Sequence, residues 1–329
     1  EKRYTFNVLK VGMSKPVQYR KRQFCKMMPN QARAENMTYS APIYMDFMVS
    51  NGKDTQIEEK VLIGKIPVML GSKYCHLYNR STEFRTEVGE CAMDRGGYFI
   101  VNGSEKVVIA QERPIENQIA CFPEHDSSKH FLSRAEVKST IDQRFFPIKI
   151  TTLKLTHFLT KKVQTPGHQL VVFLPYAEKP VPLFIVFKAL GVITDKDIMS
   201  YLTDGKDVKI VNLLVPSAVE GNVVKTQEEA IRTIANLMKT AESTEELKIK
   251  YAQDILTREF LPHVGFNVVK KLRYLSLMVQ QLIKCYFNST LYTDRDKLTN
   301  KRVDLTGPLI ALIYRFLYQR LIKDIKTHF

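Results

Sequence analysis

Two runs of strand-forming residues joined by Asn102-Gly103 constrain the fold of this chain more than any other feature. The first run is residues 98–101 and the second is residues 107–109. β-branched and aromatic residues favour strands, and Asn-Gly favours a two-residue hairpin turn because both residues tolerate a positive φ angle. The sequence therefore predicts a β-hairpin whose second strand continues to residues 111–113, which are polar and charged.

Strand patterns dominate the first half of the chain, and helical patterns dominate the second half. Alternating residues on both sides of Asn51-Gly52 predict an antiparallel strand pair over residues 39–70. Later in the chain, the capping-box pattern of Thr226 and Glu229 predicts a helix start. The polar composition of residues 114–133 marks a domain boundary. Together these patterns predict an α+β fold with more than one domain.

The net charge of +15 at pH 7, from 49 Lys and Arg against 34 Asp and Glu, favours a polyanionic partner. Nucleic acid is the first candidate and a membrane surface is the second. The most apolar region of the sequence is interrupted by prolines and charges, so it is not expected to span a bilayer. The basic segment at residues 20–26 is predicted to be a solvated loop.

Four basic residues are candidates for phosphate binding: Lys106, Arg113, Lys301 and Arg302. Arginine offers a planar fork to phosphate oxygens and lysine offers a point charge, and both kinds of contact make binding salt-dependent. Strand alternation predicts that Lys106 and Arg113 point to opposite sides of one strand, unless a bulge intervenes. Ordinary surface charge remains an alternative interpretation for each of the four.

Asp294 and Asp296 form the one carboxylate pair whose spacing suggests Mg²⁺ binding, as a nucleotidyl transferase would require. Lys297, Lys301 and Arg302 surround the pair, so salt bridges and helix capping explain both aspartates without a metal. The histidines lack a metal-ligand spacing, and the five cysteines contain no C-x-x-C pair. The sequence therefore predicts neither a catalytic nor a metal-binding residue in this chain.

Three segments closely resemble the signatures of one protein family. Residues 91–113 contain G-G-Y-F-I-V-N-G-S-E-K-V-V-I-A-Q-E-R, residues 59–75 read E-K-V-L-I-G-K-I-P-V-M-L-G-S-K-Y-C, and residues 294–308 read D-R-D-K-L-T-N-K-R-V-D-L-T-G-P. In this order they resemble the second-largest, beta-like subunit of multisubunit DNA-directed RNA polymerases, in its eukaryotic, archaeal and large-DNA-virus form. We therefore expect the chain to be a piece of a longer polypeptide.

The resemblance implies a fold and a set of site residues. Residues 1–113 and 300–329 would form the protrusion, a mixed sheet-and-helix domain, and residues 114–299 would form an inserted lobe. Both would wall the polymerase cleft that holds DNA and the RNA–DNA hybrid during transcription. Two contact regions would follow, with Gln111 and Arg113 near the hybrid, and Lys301 and Arg302 near the fork. Other matched residues would have structural roles: Asn102, Gly103, Glu105, Asp294, Asp296 and Asn300.

The resemblance also implies the chemistry and the partners. Because the family's metal-binding aspartates lie on the largest subunit, Mg²⁺ is expected there, and neither a cofactor nor zinc is expected in this chain. The chain would belong to a nucleotidyltransferase without being catalytic alone. The expected partners are DNA, the RNA–DNA hybrid, the largest subunit and other polymerase subunits, with initiation factors as further candidates and no membrane. The expected location is the nucleus, or a virion or cytoplasmic viral factory for a viral source.

Two other hypotheses stay open. The helical half of the chain could be a docking module for initiation factors or other polymerase subunits, which is compatible with a DNA-holding role. Alternatively, the chain could be a stand-alone, metal-dependent nucleotidyl transferase that uses Asp294 and Asp296. Isothermal titration of the chain with Mg²⁺ and nucleotide would test this last hypothesis, and a heat signal from specific binding would favour it.

Overall fold

The computed structural model describes residues 5–20, 23–51, 54–124, 131–141, 147–157, 168–203, 205, 207–239 and 244–328. The chain divides into two compact units. Unit 1 comprises Glu1–Glu112 and Val303–Phe329, and unit 2 comprises Arg113–Arg302. Helices and several sheets occur together, so the predicted α+β class is confirmed.

The elements follow one another in a β-rich half and a helix-rich half. The first half contains β1 (Thr5–Met13), β2 (Val17–Arg20), β3 (Gln23–Lys26), α1 (Pro29–Ala34), β4 (Ser40–Ser50), β5 (Thr55–Pro67), α2 (Thr82–Glu87), β6 (Phe99–Val101), β7 (Ser104–Lys106), β8 (Gln111–Pro114), β9 (Ala120–Pro123), β10 (Phe131–Ser139), β11 (Lys149–His157) and β12 (His168–Phe173). The second half contains β13 (Val181–Pro182), α3 (Leu183–Ala189), α4 (Asp195–Leu202), α5 (Val208–Gly221), α6 (Gln227–Asn236), α7 (Glu245–Asp254), a π-helical turn (Ile255–Glu259), α8 (Val268–Phe287), β14 (Lys301–Asp304) and α9 (Thr306–His328).

Unit 1 is built on an antiparallel sheet with strand order β1-β4-β5. Tyr39, just before β4, is fully buried and connects this sheet to β6. Its amide donates to the Ile100 carbonyl at 3.0 Å, and its carbonyl accepts from the Val68 amide at 2.9 Å. These bonds fix the start of the β6–β7 hairpin to a small core that also includes Leu70 and Cys75.

Two strand predictions in unit 1 have different outcomes. The predicted antiparallel pair over residues 39–70 is present as β4 and β5, although Gly52 of its predicted turn lies outside the described residues. The predicted loop at residues 20–26 is wrong for the residues that are described, because β2 and β3 pair there as an antiparallel hairpin. Strand-forming residues on both sides of the basic run outweigh the solvation of its charges.

Unit 2 is built on a five-stranded antiparallel sheet with strand order β13-β12-β11-β10-β9. α8 packs on β9 and β10, and α3 and α5 pack on β12. Buried residues of α8 recur at a helical spacing, as the sequence predicted: Leu272, Leu275, Val279 and Leu282. The predicted capping box is also present, with the Thr226 hydroxyl accepting from the Glu229 amide and the Glu229 carboxylate accepting from the Thr226 amide.

Within the described part of the chain, none of the helices combines the length and the apolar character that a membrane crossing requires.

Candidate nucleic-acid interface

The predicted hairpin is present, with a two-residue turn at Asn102-Gly103. β6 and β7 are antiparallel, and Val101 lies opposite Ser104 across the turn. Asn102 has φ of 51° and Gly103 has φ of 78°, as a type I′ turn requires. A Cβ atom at Gly103 would lie 2.6 Å from Asn36 Oδ1 and 2.9 Å from Asn36 Cα. Both the backbone angle and the close neighbour therefore require glycine at this position.

Arg33 of α1 holds the hairpin through a network that no sequence pattern predicted. Its Nε donates to Glu105 Oε1 at 2.7 Å, and its Nη2 donates to the Tyr98 hydroxyl at 2.7 Å. Nη1 donates at 2.9 Å to Glu90 Oε2, a buried carboxylate. Partial burial by itself would lower the pKa of Arg33, but the charge of Glu90 and the hydrogen bonds to Glu90, Glu105 and Tyr98 together raise it. No local pattern could have revealed the network, because these partners lie 57–72 residues away in sequence.

The second strand of the hairpin is shorter than predicted. β7 ends at Lys106, no strand is assigned to residues 107–110, and the side chains of Val107 and Ile109 are exposed. The reason lies in the partner strand, where the Gly97 amide, which would bond residue 108 in a longer hairpin, donates instead to the Leu70 carbonyl at 2.9 Å. Residues 107–110 therefore lack the cross-strand partner that continuation would require.

Residues 111–114 form a separate strand, β8, which pairs with β14. The predicted relation between Lys106 and Arg113 is therefore wrong, because alternation along one strand does not connect residues of two different sheets. Lys106 is exposed on β7 in unit 1, and Gln111 is exposed on the unit 1 half of β8. Lys106 and Gln111 are thus exposed residues on different strands, and the described residues do not join them in one site.

Within unit 2, the pairing of β8 with β14 brings Arg113, Lys301 and Arg302 onto two adjacent strands. The Ile115 amide donates to the Asn300 carbonyl at 2.9 Å and extends this pairing. Arg113 lies 188 residues before Lys301 in sequence (301 − 113 = 188), so only the fold brings together the two strands that carry them. The same two strands also carry the carboxylates of Glu112 and Asp304. The three cations are the groups on this strand pair that suit a phosphate backbone.

The three cations differ in their environments. Arg113 is half-buried and forms an ion pair with Glu116 at 2.7 Å. Lys301 is also half-buried, whereas Arg302 is exposed and donates through Nη1 to the backbone carbonyl of Lys301 at 2.8 Å. The ion pair holds Arg113 in place and reduces its net attraction for an anion. Arg302 is therefore the most accessible cation of this set.

Asp294 and Asp296 form a turn in which one carboxylate is already used. Asp294 Oδ1 accepts from the Asp296 amide at 2.9 Å, and the Asn300 side chain donates to the Asp294 carbonyl at 2.7 Å. The intervening Arg295 lies over the Phe122 ring at 4.2 Å, which fixes the turn to β9. Among the described residues, no group of three or more His, Cys, Asp or Glu side chains could hold a metal ion. The geometry assigns Asp294 and Asn300 to the turn itself.

Lys271 of α8 is a buried cation that the sequence patterns did not indicate either. Its Nζ donates to the carbonyls of Leu256 and Thr257, at 2.9 and 2.7 Å, within the π-helical turn. Burial lowers the pKa of Lys271 to about 8. The ammonium group supplies hydrogen-bond donors to carbonyls that lack an α-helical partner at this turn, so its role is structural.

Comparison with known proteins identifies relatives along the whole chain. Residues 1–329 match a family described as RNA polymerase beta subunit. The chain is 38% identical to DNA-directed RNA polymerase II subunit 2 of Arabidopsis thaliana, over 92% of this chain and 26% of that protein. It is 33% identical to DNA-directed RNA polymerase II subunit RPB2 of Schizosaccharomyces pombe, over 98% of this chain and 28% of that protein.

An archaeal protein is related as well. DNA-directed RNA polymerase subunit Rpo2N of Methanococcus vannielii is 35% identical, over 98% of this chain and 64% of that protein. The chain thus spans about a quarter of the length of the two eukaryotic relatives and less than two thirds of the archaeal one. On the match over its full length, the chain belongs to the RNA polymerase beta subunit family, which confirms the resemblance inferred from residues 59–75, 91–113 and 294–308.

Proposed function

We propose that this chain is the part of a DNA-directed RNA polymerase's second-largest subunit that holds DNA and the RNA–DNA hybrid. The single observation that carries the proposal is the pairing of β8 with β14, which puts Arg113, Lys301 and Arg302 on neighbouring strands. The net charge of +15 supports it, because an excess of this size attracts a polyanion over a long range. The names of the relatives agree with a role in transcription.

The proposed role is electrostatic positioning rather than bond formation. Cations fixed on strands neutralise phosphates, and they do so independently of base sequence. In the assembled nucleotidyltransferase, Mg²⁺ would be bound by aspartates of the largest subunit, which is a proposed partner together with other polymerase subunits. The proposed location is the nucleus, as suits relatives that belong to RNA polymerase II, with a virion or viral factory as the alternative for a viral source.

The proposal can be tested by replacing Lys301 and Arg302 with alanine in the assembled polymerase. We expect weaker retention of DNA and a shallower dependence of log affinity on log salt, by about 0.9 for each phosphate that is no longer neutralised. Lys209→Ala with Lys250→Ala is the matched control, because it removes two exposed positive charges from α5 and α7 of the same unit. If the slope of Lys301→Ala/Arg302→Ala equalled the wild-type slope, direct phosphate binding by these residues would be refuted.

A second, compatible function is docking to other polymerase subunits, and α9 favours it. Leu312 and Phe316, one turn apart, are each 66% exposed, and Ile313 and Leu317 beside them are also exposed. Apolar side chains clustered on one helix are typical of a protein–protein interface. We expect Leu312→Glu with Phe316→Glu to reduce recovery of other subunits in a pull-down performed with nuclease. Unchanged recovery would contradict this docking role, and the nuclease excludes bridging by DNA.

A further inference from the structure

The β2–β3 hairpin of unit 1 presents two aromatic side chains to solvent. Tyr19 and Phe24 lie directly opposite each other across the strand pair, so their side chains share one face. Their ring centroids are 5.1 Å apart, with an angle of 59° between the ring planes. Tyr19 is 64% exposed and Phe24 is 71% exposed. Most of the surface of both rings is therefore open to a ligand.

The base of this hairpin is anchored in unit 1, which gives the aromatic pair a fixed support. Met27 is buried in the core, and its amide donates to the Pro16 carbonyl at 3.2 Å. Gln18, on the opposite face from the rings, is buried and donates through Nε2 to Gln31 Oε1 at 3.4 Å. Arg20 forms an ion pair with Glu35. The hairpin is thus held from its base and its opposite face, and the described residues leave most of the aromatic face uncovered.

The charges around the pair select a polyanion. Residues 15–26 contain no Asp or Glu, and their cations are Lys15, Arg20, Lys21, Arg22 and Lys26. Lys26 lies opposite Val17 in the strand pair. Lys26 is two residues after Phe24, and Val17 is two residues before Tyr19, so alternation places Lys26 on the same face as the two rings. Lys26 is exposed. One face therefore combines two accessible rings with an accessible positive charge.

This combination fits a single strand better than a duplex. Unpaired bases can stack on aromatic rings while cations bind the backbone, and such stacking tolerates any base. In a duplex the bases already stack on one another, so the rings would gain no comparable interaction. Stability of the hairpin alone does not explain the pair, because a cross-strand aromatic pair contributes only about 0.2–1 kcal/mol.

We propose that the face formed by Tyr19, Phe24 and Lys26 binds single-stranded nucleic acid by base stacking, without base preference. This site differs from the cations on β8 and β14, and it adds to them an interaction that depends on bases rather than on phosphates alone. Within a polymerase, a single strand is present wherever the duplex is opened or a transcript leaves the hybrid. Such a strand supplies both the unpaired bases and the negative charge.

The test uses the assembled polymerase with Tyr19→Leu and Phe24→Leu in this chain. Two fluorescent probes are compared at one salt concentration, a ten-nucleotide oligo(dT) and an abasic strand with the same number of phosphates. We expect affinity for oligo(dT) to fall about 5- to 150-fold, which corresponds to about 1–3 kcal/mol for one stacked base. Affinity for the abasic strand should remain within about twofold, since no charge is removed.

Two controls separate stacking from a general effect. Phe266→Leu removes an aromatic ring of similar exposure, 63%, from unit 2 and should leave both affinities unchanged. Tyr19→Phe with Phe24→Tyr keeps two rings on the hairpin and should retain the affinity for oligo(dT). Equal effects on the two probes, or no effect on either, would overturn the proposal.

Photocross-linking gives a readout that does not depend on the substitutions. An oligonucleotide containing 5-bromodeoxyuridine should cross-link to the peptide that contains Tyr19 and Phe24 in the wild-type polymerase. If other peptides of the polymerase were cross-linked to the oligonucleotide and this peptide was not, the proposal would be refuted. The salt slope should not change in Tyr19→Leu/Phe24→Leu, so failure here is distinguishable from failure of the phosphate binding proposed for Lys301 and Arg302.

Discussion

Replacing Gly103 with alanine tests the reasoning about the central hairpin. Gly103 has φ of 78°, a conformation that costs an L-residue about 1–2 kcal/mol. The new Cβ atom would also lie 2.9 Å from Asn36 Cα and 3.2 Å from the Arg33 carbonyl oxygen, which are backbone atoms. Relieving such crowding typically costs about 1–3 kcal/mol. We therefore expect Gly103→Ala to destabilise the hairpin by about 2–5 kcal/mol in total.

Gly97→Ala is the matched control for backbone strain without crowding. Gly97 has φ of 90°, but a Cβ built there has no heavy atom of the described chain within 4 Å. We expect it to cost only the conformational part, about 1–2 kcal/mol. The difference between the two substitutions thus isolates the crowding against residues 33–36.

Hydrogen exchange measured by mass spectrometry is the suitable assay, because it reports the free energy of local opening peptide by peptide. Peptides over residues 30–40 and 98–106 should lose more protection in Gly103→Ala than in Gly97→Ala. Adding Asn36→Gly to Gly103→Ala should restore only part of the protection, because it removes Oδ1 of Asn36, 2.6 Å from the new Cβ, while the backbone of residue 36 stays close. Equal loss in the two alanine variants would refute the argument that close packing, rather than φ alone, fixes Gly103.

Three further predictions concern residues that support the two units. Arg33→Met leaves the buried Glu90 carboxylate without its ion pair and should cost about 3–5 kcal/mol in urea unfolding, with partial recovery on adding Glu90→Gln. Lys271 has a lowered pKa of about 8, so between about pH 8 and pH 10.4 the unfolded state binds more protons at this site. The free energy of unfolding of wild type relative to Lys271→Met should therefore rise across that interval, and a fall would contradict it. Thr226→Ala should cost about 1 kcal/mol of unfolding free energy through loss of the capping box, without changing affinity for DNA.

Local patterns predicted the elements whose causes are local. Asn102-Gly103 fixes a hairpin because its backbone angles are set by two residues, and Thr226 with Glu229 starts a helix because their bonds are within one turn. The α+β class follows from the same short-range periodicities. The family motifs likewise needed only the order of residues along the chain.

Other features depended on pairing across long sequence distances, and the tertiary structure alone decided them. The second strand of the hairpin ends at Lys106 because the Gly97 amide bonds to Leu70, which no periodicity of residues 107–110 could indicate. The network of Arg33 likewise depends on partners far along the sequence.

The sequence by itself therefore determined the family, the fold class and a list of candidate cations. The tertiary structure decided which cations are neighbours, because β8 and β14 pair although most of unit 2 lies between them in sequence. It also decided that Tyr19 and Phe24 share an exposed face, since strand register, rather than composition, sets which side chains lie opposite each other. Electrostatic and stacking interactions require proximity in space, and proximity is a property of the fold.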